Sequence, residues 1–498
     1  MYFSKSRYCE FCQCQKAAWL RKYKPEEFVQ DNSVEARLET GNEVGDLAMG
    51  LFGEFVEVTA RKADGKLDLD KMKELTRQYI QEGRNVICEA SFDFNGLYCA
   101  VDILLKTPDG YAIYEVKSAT HAKYVNIQDV TYQKYVLEKC GIKVTGTYLV
   151  TINSDYVFDG ELDLHKLFKI TDLSGFVPDE MEFIEPNLAS AEKILSSDTE
   201  PNTDLGEYCK NPYTCGFFGY CGKHLPTPSV FDIYNLPFKT KINLYRKGVI
   251  SFEEVLKDGY VNDPLRLRQI DFALNDRGTH INKERIRQFL GKLTYPLYFL
   301  DFETMQTVIP QYVGTKPYQQ VTFQYSLHYI ENDGGELKHK EFLGDPETDP
   351  RRALAEQLIA DIPDNACVLA YNKAFECTRI GELAKAYPDL ATKLLKIKDN
   401  IKDLLDPFRA GYYYNRAMGG SFSIKKVLPA IFPNDPDLDY HNLDGVQNGA
   451  EAMFIFPQMK NMLPEEREKT RQSLLKYCGL DTYAMVKIWQ KLNETIQS

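Results

Sequence analysis

The sequence predicts a mixed α/β protein, built as two α/β domains joined by a short helical segment. Three observations lead there. Residues 86–152 read as strand, strand, strand, helix, strand. A second strand–helix alternation starts at YPLYFLDFET, just after the breaker region around Thr294 and Pro296. The composition is that of an ordinary globular chain, with 498 residues, 44% hydrophobic and 27% charged. At ~100–200 residues per domain that is two to four domains, and it excludes a disordered, collagenous or coiled-coil chain.

Each element follows from local pattern. In residues 1–225, VICEASFDFNGLYCAVDILLKTPDGYAIYEVKSAT reads as successive strands, with Pro108, Asp109 and Gly110 as a turn. DVTYQKYVLEKCG is a helix ending at Gly141, and KVTGTYLVTIN is the next strand. Residues 226–292 form a helical connector, with LRLRQIDFALNDR and INKERIRQFLGKL amphipathic. In residues 293–498, YFLDFET and VTFQYSLHYI are strands around a loop. RRALAEQLIADI is a helix, CVLAYN a strand and FECTRIGELAKAY a helix. EEREKTRQSLLKYCGLDTYAMVKIWQKL is one long helix or a broken pair.

No apolar run reaches the ~18 residues of a membrane span. The opening MYFSKSRYCEFCQCQK lacks the apolar stretch of a signal peptide. The expected location is therefore cytoplasmic, and the 12 cysteines are expected to be thiols or metal ligands rather than disulfides. The net charge of −12 argues against a sequence-independent nucleic-acid coat protein. The charge is uneven, however. Residues 155–207 carry 14 acidic and 3 basic side chains, whereas residues 391–426 carry 8 basic and 3 acidic.

Three groups of residues carry chemistry. The first is Asp102, Glu115 and Lys117. Glu115 and Lys117 stand two apart on a strand and so share a face. Two carboxylates hold a hard cation such as Mg²⁺, and a lysine orients water or stabilises a phosphate. E-x-K alone is common as a solvent-facing pair on an edge strand. The preceding aspartate, the hairpin and the following helix with Gln133 give the triplet its weight. These residues resemble the PD-(D/E)XK nuclease superfamily in its RecB-like branch. That resemblance implies a nuclease fold and a catalytic role for Asp102, Glu115, Lys117 and Gln133, with Gln128 as the alternative glutamine. It makes Glu89 the upstream metal carboxylate. Val101 replaces the proline of the superfamily's name. The metal-binding histidine of the branch has no counterpart in RLETGNEVGDLA, where Glu43 is the available substitute.

The second group is Cys14 with Cys209, Cys215 and Cys221. One early and three late thiolates can staple both ends of a domain through one metal centre. Zinc sites usually show tighter pairs, and Cys9 and Cys12 compete as the early ligand. The arrangement resembles the iron–sulfur staple of CRISPR-associated and AddB-type exonucleases, which implies a 4Fe-4S cluster, with zinc as the alternative. The other cysteines, Cys478 among them, are expected to fill cores.

The third group is Asp301, Glu303, Glu376, Tyr477 and Asp481. Asp301 and Glu303 share one face at the polar end of a strand, and such pairs can share two metals ~3.5–4 Å apart. Tyr477 and Asp481 share a helical face. Taken singly, each is an unremarkable surface acid. As an ordered set they resemble the DEDD exonucleases of the ribonuclease H-like fold, in the subtype with a tyrosine. The resemblance implies that Asp301, Glu303 and Asp481 hold Mg²⁺ or Mn²⁺ and that Tyr477 orients the water. Glu376 stands where that family has aspartate. Lys425 and Lys426 are candidates for phosphate contacts, and Asp403 and Asp406 are spare structural acids. The chain as a whole resembles a bacterial family that fuses a RecB-like module to a DEDD-type domain of unknown function. The implied activity is a metal-dependent exonuclease acting on DNA or RNA, single-stranded or with free ends, and no membrane. The alternatives are a single working centre at the C-terminus, or a nucleic-acid-binding scaffold.

Overall fold

The structure is a computed structural model that describes residues 2–30 and 34–497; side chains are described from residue 40 onward in the helix Val34–Ala48. The protein is mixed α/β, and its chain divides into two units. Unit one is residues 1–225 with 308–318, and unit two is residues 226–307 with 319–498. The 226–292 segment thus clusters with the second unit.

Unit one holds a seven-stranded sheet in the order β2-β3-β4-β5-β6-β7, with β1 also on β4. The strands are β1 (Phe3–Ser4), β2 (Val56–Glu57), β3 (Val86–Phe94), β4 (Leu97–Thr107), β5 (Gly110–Lys117), β6 (Val144–Ile152) and β7 (Phe168–Asp172). The helix Tyr124–Lys139 joins β5 to its parallel neighbour β6. Strand alternation should give each face its own core, and mostly it does. Ile87 and Leu104 face one core, with Tyr132 and Val136; Val86, Cys88 and Ile103 face the other, with Val44 and Ala48.

The alternation slips at one place. Beyond Glu89, Ala90 and Phe92 face the core that Ile87 faces, and on β4 Cys99 and Val101 share a core with Leu104. Glu89 has a left-handed φ of 56°, and the ladder pairs Cys88 with Ile103 and Ala90 with Val101 but skips Glu89 and Asp102 between them. A non-glycine residue at such a φ is uncommon and costs of order 1–3 kcal/mol. The other edge of β4 also changes partner here. β5 pairs with Ile103–Thr107, whereas β1 pairs with Leu97 and Tyr98. The stretch between them has no strand on that side among the described residues.

Unit two holds a five-stranded sheet in the order β11-β10-β9-β12-β13. These strands are β9 (Leu297–Gln306), β10 (Gln320–Ile330), β11 (Leu337–Leu343), β12 (Cys367–Ala370) and β13 (Ile401–Asp403). β9, β10 and β11 are antiparallel neighbours, while β12 runs parallel to β9 and β13 parallel to β12. Helices Arg351–Asp361 and Ala374–Ala386 cover one face, and Pro464–Gln497 covers the other. That last helix is continuous for 34 residues, resolving the choice between one helix and a pair. Gly479 lies inside it. A glycine there costs ~1 kcal/mol, which is offset by burial of Leu474, Ala484, Met485 and Ile488.

The 226–292 segment has a small core of its own, with Val230, Ile233, Phe252 and Ile270, and its end joins the main core of unit two. Phe272 and Ile286 pack in one cluster with Phe299 and Val486. A small sheet also ties it in, with β8 (Thr279–Ile281) antiparallel to β14 (Tyr413–Asn415). Sequence pattern had no strand for LKHKEFL, which is β11, because an edge strand can be polar on both faces. Among the described residues, no helix is long and apolar enough to cross a membrane.

Candidate functional site

In unit one the departure of β5 from β4 opens the sheet at Asp102. The Asp102 carboxylate fills the gap by accepting from the Val116 backbone N–H at 2.6 Å. Glu115 is fully buried. Its Oε1 accepts from Lys117 and from Lys5, the latter at 2.8 Å, and its Oε2 accepts from Gln133 at 2.7 Å. Gln133, not Gln128, is therefore the glutamine that meets Glu115. Asp129 joins the group, 3.1 Å from the Lys117 ammonium. Glu89, Asp102, Glu115 and Lys117 line one cavity of about 580 Å³.

Electrostatics divides Glu115 from Asp102 and Glu89. Burial would raise Glu115, but Lys117 and Lys5 outweigh it and hold the group well below its usual range. Burial, helped by the charge of Glu115, lifts Asp102 to about 6. Burial and Asp102 lift Glu89 to about 7. Two acids that resist ionisation side by side suit a shared cation. Glu43 does not line this cavity; from the same helix Asn42 and Asp46 do. Arg37, Leu38 and Glu39 of the histidine-free stretch have side chains outside the described residues.

The four thiols converge as expected from the one-plus-three pattern. Cys14, Cys209, Cys215 and Cys221 line one small cavity with Leu205 and Phe217. Gln13 ties the early helix to the late loop, its amide donating to the Tyr208 and Tyr213 carbonyls, each at 2.7 Å. The Cys215 N–H bonds the Cys209 carbonyl at 2.8 Å. Cys9 instead lines the carboxylate cavity, and Cys12 accepts from Asn187 at 3.6 Å. Burial pushes the Cys215 and Cys221 thiols up to about 11. Only a bound cation would hold such thiols as thiolates at neutral pH.

In unit two, Asp301 and Glu303 leave β9 on one face, and the long helix brings Tyr477, Cys478 and Asp481 to them. Oxygens of Asp301 and Glu303 and the Cys478 sulfur all lie within 4.8 Å of one another. Asp481 Oδ1 accepts from the Tyr440 hydroxyl at 2.6 Å, and Tyr477 stands on the same helical face as Asp481. Burial raises Asp301 and Glu303 well above the usual carboxylate range, and Asp481 adds to both shifts. Exposed Lys425 draws Glu303 and Asp481 the other way.

Glu376 is 2% exposed, and its Oε2 has no hydrogen-bond partner among the described residues. Burial, with Asp403 beside it, lifts it to about 8. Its charge reaches Asp301 and Glu303. Asp403 is occupied, accepting from the N–H of Asn372 at 2.9 Å, from that of Leu405 at 3.1 Å and from Arg409 at 3.3 Å. Those bonds fix the turn at left-handed Asn372 that leads to Glu376. Asp406 is half-buried and pairs with Arg409.

Sequence reasoning had no place for Lys5, Asp129 or Tyr440; Cys478 is buried as expected, but its sulfur also stands beside Asp301 and Glu303, which the sequence reading did not foresee. Cys478 was within reach, since it stands three residues before Asp481 and so shares its helical face. Tyr440 sits in a turn whose approach to Asp481 no local pattern encodes.

Comparison with known families gives one match. The model of a domain of unknown function, DUF2779, matches residues 298–423. The match spans Asp301, Glu303 and Glu376 and ends before Tyr477 and Asp481. No curated protein matches the chain.

Proposed function

We propose that this protein is a divalent-metal-dependent nuclease that hydrolyses phosphodiester bonds of DNA or RNA at free or single-stranded ends. The observation that carries the reading is the second centre. Half-buried Asp301 and buried Glu303 and Asp481 stand close enough there to repel one another, and none accepts a lysine or arginine hydrogen bond among the described residues. Mg²⁺ or Mn²⁺ relieves that repulsion and, when bound, supplies charge stabilisation and an activated water. The chain's own residues do the rest. Asp301, Glu303 and Asp481 hold the metal, Tyr477 orients the attacking water from beside Asp481, and Lys425 meets the backbone phosphate. The strand order counts in the same direction. Numbered within the five-stranded sheet it is 3-2-1-4-5, the arrangement expected of a ribonuclease H-like sheet.

The first centre belongs to the same proposal, with Asp102, Glu115 and Glu89 toward the metal and Lys117 toward the phosphate. The cysteine set is read as an iron–sulfur staple. Among the described residues, no three of its sulfurs lie within 4.8 Å of one another. Tetrahedral zinc at ~2.3 Å from each sulfur needs edges of ~3.8 Å. Cytoplasmic residence accords with twelve free thiols.

The test is release of labelled mononucleotides from single-stranded DNA and RNA, with Mg²⁺ or Mn²⁺, in a Lys117→Ala background. Asp301→Ala should be the most severe variant. Tyr477→Phe should lose ~10²–10⁴-fold, and Asp406→Asn should stay near its parent. Equal rates for Asp301→Ala and its parent reject the second centre. A second reading keeps only that centre active, and the two lysines already bonded to Glu115 favour it. Lys117→Ala with Asp301 intact separates the two readings.

A further inference from the structure

The first centre carries a charge that the E-x-K pattern does not require. Lys5 opens the helix Lys5–Gln13, 110 residues before Glu115. Its ammonium donates to Glu115 Oε1 at 2.8 Å and lies 3.6 Å from Asp129 Oδ1. Lys117 bonds that same Oε1 and stands 3.1 Å from Asp129 Oδ2. One carboxylate oxygen therefore serves two ammonium groups.

The placement of Lys5 is built into the fold. β1 pairs with β4 at Leu97 and Tyr98. The Phe3 N–H bonds the Gly96 carbonyl at 2.8 Å, the Tyr132 hydroxyl donates to the Phe3 carbonyl, and Ser4 caps the helix. The Lys5 side chain is 18% exposed, and the residue lines the cavity with Glu89 and Asp102. Ordering a lysine this far costs rotamer freedom and hydration. A lysine that served only to neutralise Asp129 would hydrogen-bond it. Instead Lys5 bonds Glu115, and Asp129 Oδ1 is left without a hydrogen bond among the described residues.

We propose that Lys5 is a second phosphate-binding cation of the first centre. It holds a non-bridging oxygen of the nucleic-acid backbone beside Lys117, and it competes with a divalent cation for Glu115. The proposal rests on the nuclease reading of this centre. Glu115 Oε1 cannot serve both ammonium groups and a metal at full strength. Both lysines have flexible four-carbon stems, but Lys117 is held by Asp129 at 3.1 Å and Lys5 stands off it at 3.6 Å, so Lys5 is the one assigned to turn to phosphate.

The full chain carrying Asp301→Ala, which silences the second centre, is titrated with Mn²⁺ by calorimetry. It is also titrated with a single-stranded oligonucleotide in Ca²⁺ over a range of salt. Lys5→Met should bind Mn²⁺ about tenfold tighter and the oligonucleotide about tenfold weaker. Its salt slope should be shallower by about 0.7, the loss of one phosphate contact on a single strand. Lys5→Arg should keep the oligonucleotide affinity and slope. Lys66→Met, at a side chain 82% exposed, should match the parent. A folded Lys5→Met with unchanged Mn²⁺ affinity and salt slope overturns the proposal while leaving the nuclease reading standing. A parent that binds no Mn²⁺ overturns both. If Lys5→Met does not fold, Lys5→Gln is judged by the same criteria.

Discussion

Burial lifts Asp481 from 3.8 to about 6 even though the Tyr440 hydroxyl donates to it. The folded state therefore binds this proton more tightly than the unfolded chain does. The resulting stability is fully present below about pH 4 and is lost as pH rises through about 6. Asp301 and Glu303 are raised by burial and by Asp481, so they extend the loss upward. In EDTA, the melting transition of unit two should therefore fall between about pH 5 and pH 7.5. Asp301→Asn should flatten that fall and raise the melting temperature at the higher pH, by ~2–4 °C per kcal/mol recovered. Mn²⁺ should restore the parent but not the variant. Identical pH profiles for parent and Asp301→Asn would mean that these carboxyls do not repel one another.

At the scale of elements, the long helix Pro464–Gln497 must hold Asp481 in register against the sheet. A polar seam does this. The Thr482 hydroxyl pairs with Ser326 at 2.6 Å and with His328 Nδ1 at 2.8 Å, and Ser326 reaches His339 Nε2 at 2.9 Å. The two imidazoles stack with centroids 4.3 Å apart. Burial lowers His328 to about 4, so the seam is neutral at physiological pH. Thr482→Val leaves buried groups without partners and should cost ~1–3 kcal/mol in urea unfolding. Because Thr482 adjoins Asp481, nuclease rate should fall too, while Thr482→Ser should keep most of both. A Thr482→Val protein with full stability would show that apolar packing alone sets the helix register. The Tyr477–Asp481 spacing was legible because helical faces repeat every three to four residues. The seam was not, since Ser326 and Thr482 are 156 residues apart.

At the scale of the whole molecule, the cysteine set closes unit one upon itself. Cys14 belongs to the first turns of the chain and Cys221 to the unit's last helix. Metal binding at such a site is coupled to folding. Anaerobically purified protein should be brown, with broad absorption near ~400 nm from thiolate-bound iron and sulfide. Cys209→Ser should bleach it and lower the melting transition of unit one, leaving that of unit two in place. Colourless protein with stoichiometric zinc would replace the cluster and keep the staple. Intact melting of both units in Cys209→Ser would remove the staple altogether.

The sequence by itself marked the main strand–helix alternation of both units, though not edge strands such as β11, and it put Glu115 with Lys117, Asp301 with Glu303, and Tyr477 with Asp481 on common faces. These follow from periodicities of two and 3.6, which sterics impose within a few residues. Only the tertiary structure decided the rest. It chose Cys14 over Cys9 and Cys12, and Gln133 over Gln128. It gave residues 230–270 a small core of their own and tied Phe272, Ile286 and Phe289 into the core of unit two. It brought Lys5 to Glu115 and Tyr440 to Asp481, and it turned Glu89 left-handed opposite Asp102. Each of these depends on which distant surface packs against which. That choice is made by burial summed over a whole core, and no local window of residues contains it.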